Sequence, residues 1–263
     1  MTPFFTDPFL VRLFPWLTGL LGLVLGSFYS VCAHRYVTGQ SIVLPPSHCP
    51  ACGHRLSWWE LLPLAGYLLA RGRCAACGVR IPLGYPLLEI VSAAWAALLA
   101  LRFGPTPVFA VLLAVGGLFI VASAIDLRTF LLPNRLTYPA AVLGIAAGWL
   151  SPGVGLTAAA WGAAGGFVMF WLLARGYRAL RGIDGLGGGD VKLMLSIGGM
   201  CGVAGLPMAI LMGSVAALAC SPFFLIGGRG KATAIPIPFG PFLCFGAMAQ
   251  VLLGQDALAR LLS

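Results

Sequence analysis

Long apolar runs, one after another, constrain this chain more than any other feature of its sequence. A span needs roughly 20 apolar residues to cross about 30 Å of hydrocarbon. Eight stretches read as spans: about 13–33, 84–101, 106–125, 137–152, 155–174, 191–206, 207–226 and 237–254. The sixth and seventh share one apolar stretch, 191–226, which is too long for one span and short for two. Its turn is expected around Gly202, Gly205 and Pro207. With 60% hydrophobic residues, 9% charged and a mean hydropathy of +0.97, a soluble globular chain is excluded. The expected fold is an all-α polytopic membrane protein of about eight transmembrane helices. The apolar run to Ala33 reads as a permanent first helix rather than a cleaved signal, because Arg12 is the sole basic residue near its start and Asp7 precedes it.

Charge placement orients the spans. With the N-terminus outside, the inner loops carry Arg35, Arg55, Arg71, Arg73, Arg80, Arg128, Arg135, Arg175, Arg178, Arg181, Lys192, Arg229 and Lys231. Arg12, Arg102 and Arg260 remain outside, a bias that follows the positive-inside rule. The net charge of +9 is thereby explained by topology, with membrane lipid as a partner and no nucleic acid.

Three regions follow: a first helix over 1–33, a cytosolic loop over 34–83, and a helical core over 84–263. The loop holds all three His and four of the eight Cys. Cys49-Pro50-Ala51-Cys52-Gly53 is echoed by Cys74-Ala75-Ala76-Cys77-Gly78, and two C-x-x-C knuckles at this separation match a four-cysteine zinc site. Two intervening residues let both sulfurs of a knuckle face one ion, and a cytosolic loop keeps thiols reduced. Four thiolates leave no open coordination position, so the zinc is expected to be structural, in a zinc-ribbon-like loop. The alternative is four free thiols. His48 and His54 flank the first knuckle as incidental neighbours. Cys32, Cys201, Cys220 and Cys244 lie in apolar runs and read as packing residues. The remaining sequence shows no internal repeat.

Seven acids occur in the chain, and an acid at a span is a candidate functional residue. Asp7 and Asp256 fall near the outer face and Glu60 in the cysteine loop. Asp126, Asp184, Asp190 and Glu89 are left at the inner membrane surface. Asp190 also reads as an N-cap, following Gly187-Gly188-Gly189, with Lys192 near enough to stabilise its charge. Asp126 also reads as a helix-end carboxylate beside Arg128. Two carboxylates within a few ångströms share a proton; the charged one deprotonates water while the protonated one polarises a peptide carbonyl. That is aspartyl proteolysis. The same acids fit a proton relay in a transporter, or helix caps in a non-catalytic zinc-stapled adaptor.

In order along the chain come Gly26-Ser27-Phe28, Arg35, the two knuckles with Trp59-Glu60-Leu61-Leu62-Pro63 between them, and Tyr85-Pro86-Leu87-Leu88-Glu89. Then follow Ile125-Asp126-Leu127 with Leu131-Leu132-Pro133-Asn134, Gly185-Leu186-Gly187-Gly188-Gly189-Asp190-Val191-Lys192, and Pro238-Phe239-Gly240-Pro241-Phe242. This combination resembles the type IV prepilin peptidases, membrane aspartyl proteases with a G-x-G-D motif. The resemblance implies that Asp126 and Asp190 are the catalytic pair, with Gly187, Gly189 and Lys192 as motif support. It implies a bacterial inner-membrane enzyme that cleaves a short basic leader from prepilins or pseudopilins, after glycine, at the cytosolic face. Relatives with the four-cysteine loop also methylate the new N-terminus with S-adenosylmethionine, whose site the sequence does not locate. Arg128 stands where many relatives carry a second acid, and Asn134 where an aspartate is common.

Overall fold

The computed structural model of the chain describes residues 7–183, 185–227 and 237–254. Asp184, Arg229, Lys231, Asp256 and Arg260 lie outside the described residues. Among those described there are helices and no strands. They are α1 (Pro8–Thr38), α2 (Ala65–Leu69), α3 (Gly84–Phe103), α4 (Pro107–Thr129), α5 (Asn134–Leu150), α6 (Gly155–Arg181), α7 (Gly188–Gly227) and α8 (Gly240–Leu253). Five of them, α1, α3, α4, α6 and α7, are long and apolar enough to cross a membrane, and the chain is a multi-pass membrane protein. It divides into two compact units, Met1–Phe109 and Ala110–Ser263.

In the first unit, Asp7 caps α1 by accepting from the Phe9 amide, and Gly39 ends it in the left-handed region. Small residues bring α1 and α3 into close antiparallel contact. A Cβ on Gly22 would lie 2.5 Å from the Ser92 carbonyl oxygen, and one on Gly26 would lie 2.6 Å from the Glu89 Cα. Residue 26 is therefore level with 89, and residue 22 with 92 and 93. Helices in lipid gain most from such close backbone packing.

Between α1 and α3 the chain makes the same hairpin twice, a repeat that the sequence shows only at its two echoed knuckles. In the first hairpin the Cys49 amide donates to the His54 carbonyl, the Gly53 amide to Cys49, and the Leu56 amide to Ser47. Twenty-five residues later, Cys74 donates to Val79, Gly78 to Cys74, and Ile81 to Gly72. The shared signal was longer than the knuckle: Arg55 and Arg80 occupy matching positions, and each pairs across its own hairpin.

In the second unit α7 is two helices. Gly202 has φ 66 and ψ 176, and the chain turns back there. The reversal is visible from α6: a Cβ on Gly166 would touch both the Met194 carbonyl oxygen, at 3.1 Å, and the Leu206 side chain, at 3.4 Å. A continuous helix would separate residues 194 and 206 by about 18 Å along its axis. The turn falls at the first of the three residues expected to form it. Residues 188–201 pack along α5, where the Ser196 hydroxyl donates to the Ala140 carbonyl. Beyond the turn, Gly213 packs on the α8 backbone at Phe242.

Candidate active site

Asp126 occupies the last turn of α4, which the apolar run from Pro107 carries to Thr129. The Phe130 amide closes that turn on the Asp126 carbonyl, with Phe130 itself at φ 55. The chain then runs through Leu131, Leu132 and Pro133 to α5. The Asp126 side chain is buried, 5% exposed, and accepts from the Gly240 amide at the start of α8. A helix N-terminus is a favourable place for a carboxylate, since its first amides have no intrahelical partner.

Asp190 lies in the first turn of α7, at its third residue, rather than at the cap position. Its carboxylate accepts from the Gly187 amide, the cap residue, as the third-position acid of a capping box does. Asp190 is 9% exposed and close enough to Asp126 for the two charges to act on each other. The structure thus brings the two expected aspartates together. Behind them is Cys244, one turn into α8, whose thiol pairs with Ser123 and feels both carboxylates. The cysteine is a buried packing residue, as expected, and also part of the aspartates' surroundings.

Leu132, named in the sequence only as part of the motif that follows Asp126, joins the three segments. A Cβ on Gly189 would lie 2.6 Å from the Leu132 Cβ; one on Gly240 would lie 2.8 Å from Asp126 Oδ2 and 3.0 Å from Leu132 Cδ1. Leu132 fills the space that both glycines leave. The motif marks the Leu-Pro stretch but carries no sign of which leucine packs against the two glycines.

Lys192 differs from the sequence expectation. It does not pair with Asp190; its ammonium donates to Asn134 Oδ1 at 2.8 Å and lies 5.6 Å over the Tyr138 ring. Residues two apart on a helix face different ways, so Lys192 staples the start of α7 to α5 instead. Glu89, in the other unit, is buried and accepts from the Leu64 amide at 2.8 Å, which fastens the cysteine loop to α3.

In the first unit Cys49, Cys52, Cys74 and Cys77 place their sulfurs within 4.8 Å of one another. Cys49–Cys77 is 3.9 Å and Cys52–Cys74 is 4.0 Å. A metal held by four thiolates at about 2.3 Å sets sulfur–sulfur edges of about 3.8 Å, so the cluster fits a tetrahedral ion. The backbone amides favour the thiolate form of the first cysteine of each hairpin. The Ala51 and Cys52 amides lower the Cys49 pKa to about 7, and the Cys77 and Ala76 amides lower that of Cys74. The histidines are engaged elsewhere: His48 Nδ1 pairs with the Pro46 carbonyl, and His54 with Glu60 at 3.3 Å.

Residues 20–103 match the bacterial peptidase A24 N-terminal domain, and residues 111–221 match the type IV leader peptidase family. A prepilin leader peptidase/N-methyltransferase of Burkholderia pseudomallei is 34% identical, over 89% of this chain and 84% of the relative. The chain belongs to the type IV leader peptidase family. Proteins with the same name from Pseudomonas putida and Pseudomonas aeruginosa are 32% and 33% identical, over 92% and 91% of this chain and 92% and 90% of theirs. No solved structure matches it. As a member of this peptidase family the chain is an enzyme, and the two family models fall one in each compact unit.

Proposed function

We propose that this leader peptidase cleaves prepilins or pseudopilins by an aspartyl mechanism, with Asp126 and Asp190 as the catalytic pair. The observation that carries the reading is the meeting of two buried carboxylates from different helices, each held by one glycine amide. One carboxylate, unprotonated, takes a proton from a water molecule, whose oxygen attacks the scissile carbonyl carbon. The other, protonated, donates to the carbonyl oxygen. Collapse of the tetrahedral intermediate then expels the new amine, which takes up a proton. The Gly240 and Gly187 amides fix the carboxylates' orientation, and the pair titrates as a unit. Both acids sit within one turn of a helix end, where a leader in the headgroup layer can reach them. A mid-span proton relay would place them deeper.

The basic loops support a site on the cytosolic face, and the relatives' bacterial sources support an inner-membrane location. The four-cysteine cluster holds zinc, which locks the two hairpins together and takes no part in the reaction. The relatives' name extends the reading to methylation of the new N-terminus with S-adenosylmethionine. The test is incubation of a prepilin with purified enzyme, with and without S-adenosylmethionine, followed by N-terminal mass measurement. The expected product lacks the leader and, with the methyl donor, gains 14 mass units, about one methyl group. Cleavage that survives in both Asp126→Asn and Asp190→Asn would reject the dyad.

A further inference from the structure

Arg35 is a buried cation with no carboxylate partner among the described residues. Its guanidinium instead donates to three backbone carbonyls of the turn that follows α1: Ser41 at 2.7 Å, Ile42 at 3.0 Å, and Pro45. The turn is drawn back against the helix while its side chains point away. Ile42, Val43 and Leu44 are 51%, 81% and 68% exposed. Three consecutive aliphatic residues held out from a braced turn form an apolar finger.

The packing of α1 on α3 fixes the height of this finger. The 20 residues of α3 rise about 30 Å, the thickness of the hydrocarbon layer. Because residue 26 is level with 89, the start of α3 is level with about residue 31 of α1. Arg35 is four residues beyond, or about 6 Å further along the axis. That is the headgroup layer, where His34 and Tyr85 also place their rings, 6.5 Å apart. The rest of the loop fits the same surroundings. Arg55, Arg71, Arg73 and Arg80 are exposed and lack carboxylate partners among the described residues. The loop's one acid, Glu60, is committed to Ser57 and His54.

We propose that the Ile42-Val43-Leu44 finger inserts into the lipid interface beside α1, as an anchor built by Arg35, and that the loop's arginines engage anionic headgroups. The occupant is the bilayer, because the finger lies at headgroup height and the cationic loop around it complements anionic lipid. The anchor ties the four-cysteine hairpins to the membrane surface, independently of any step in proteolysis.

The test replaces Val43 by the photocrosslinker p-benzoylphenylalanine in the full chain, reconstituted in nanodiscs. A parallel replacement is made at Ala51, on the exposed turn of the first hairpin. After irradiation, intact-mass measurement is expected to show phospholipid adducts at position 43, at least fivefold above those at 51. Adding phosphatidylglycerol to phosphatidylcholine discs is expected to raise the yield at 43 about threefold. Arg35→Lys, which keeps the charge but loses the forked brace, is expected to lower it severalfold. Equal yields at 43 and 51, or adducts at 43 to an added prepilin or a second copy of the chain instead of lipid, would overturn the proposal. An unchanged yield in Arg35→Lys would overturn the brace, and indifference to phosphatidylglycerol the headgroup contact.

Discussion

Gly240→Ala isolates the geometry of the dyad from its fold. The added Cβ would sit 2.8 Å from Asp126 Oδ2 and 3.0 Å from Leu132 Cδ1, both inside ordinary van der Waals contact. Something has to move by roughly half an ångström, since carbon and oxygen rest near 3.3 Å. The atoms in the way are the tips of two side chains and no backbone, so the relief is small in energy and falls on the carboxylate. Alanine in a helix is favoured over glycine by about 1 kcal/mol, which offsets the crowding. Thermal unfolding in detergent should therefore change by no more than about 3 °C. Activity should not be spared. A misplacement of about 1 Å at a reacting group lowers rates about a hundredfold, so half of that gives roughly a tenfold loss in kcat. The assay is prepilin cleavage at saturating substrate, with KM measured alongside. Gly165→Ala is the control, because its Cβ would meet nothing within 4 Å on an exposed face of α6. Wild-type turnover in Gly240→Ala, or a loss matched by an equal drop in stability, would refute the reasoning.

Asp126→Asn and Asp190→Asn should each reduce cleavage at least a thousandfold while membrane insertion is retained, read by product mass and membrane fractionation. Gly26→Val should lower stability by about 1–3 kcal/mol, since the colliding atom is the Glu89 Cα and backbone cannot yield; a thermal shift assay reads it. Purified protein should hold about one zinc per chain by elemental analysis, and Cys49→Ser should lose it. Glu60 gives a pH signature. The Ser57 amide foremost, with His54 adding to it, holds its carboxyl below the ordinary range. A depressed folded-state pKa stabilises above the unfolded value, roughly 4.3, and that stability is lost as pH falls through the folded value. Proteolytic nicking of the 40–83 loop should rise below about pH 4 in the wild type. Glu60→Gln should be nicked more at neutral pH and respond less to acid.

The apolar runs made the helices legible because lipid leaves the backbone few alternatives. The turn near Gly202 was legible for the same reason: no single span could absorb 191–226. The aspartates stood out by scarcity. What sequence could not supply was direction. Lys192 is near Asp190 in number but faces Asn134, and nothing in the sequence near Glu89 shows that its carboxylate accepts from the Leu64 amide. Asp190 reaches backward to Gly187 from within the helix, a role that depends on where α7 starts. The hairpin repeat was legible only at the knuckles, because the rest of it lies in backbone bonds and unlike side chains fill most of its matching positions. The division of units was also hidden. The sequence grouped 84–103 with the helical core, whereas α3 packs on α1.

The reversal at Gly202 has a consequence for the surrounding lipid. From Gly188 to Cys201 the helix that carries Asp190 rises only about 21 Å, and its neighbour α5, with 17 residues, about 26 Å. Both are shorter than a hydrocarbon layer of about 30 Å. A bilayer meets short helices by thinning around them. Such a dimple would draw the aqueous boundary toward Asp190, so that a hydrolytic reaction inside an apolar protein finds its second substrate, water, close at hand.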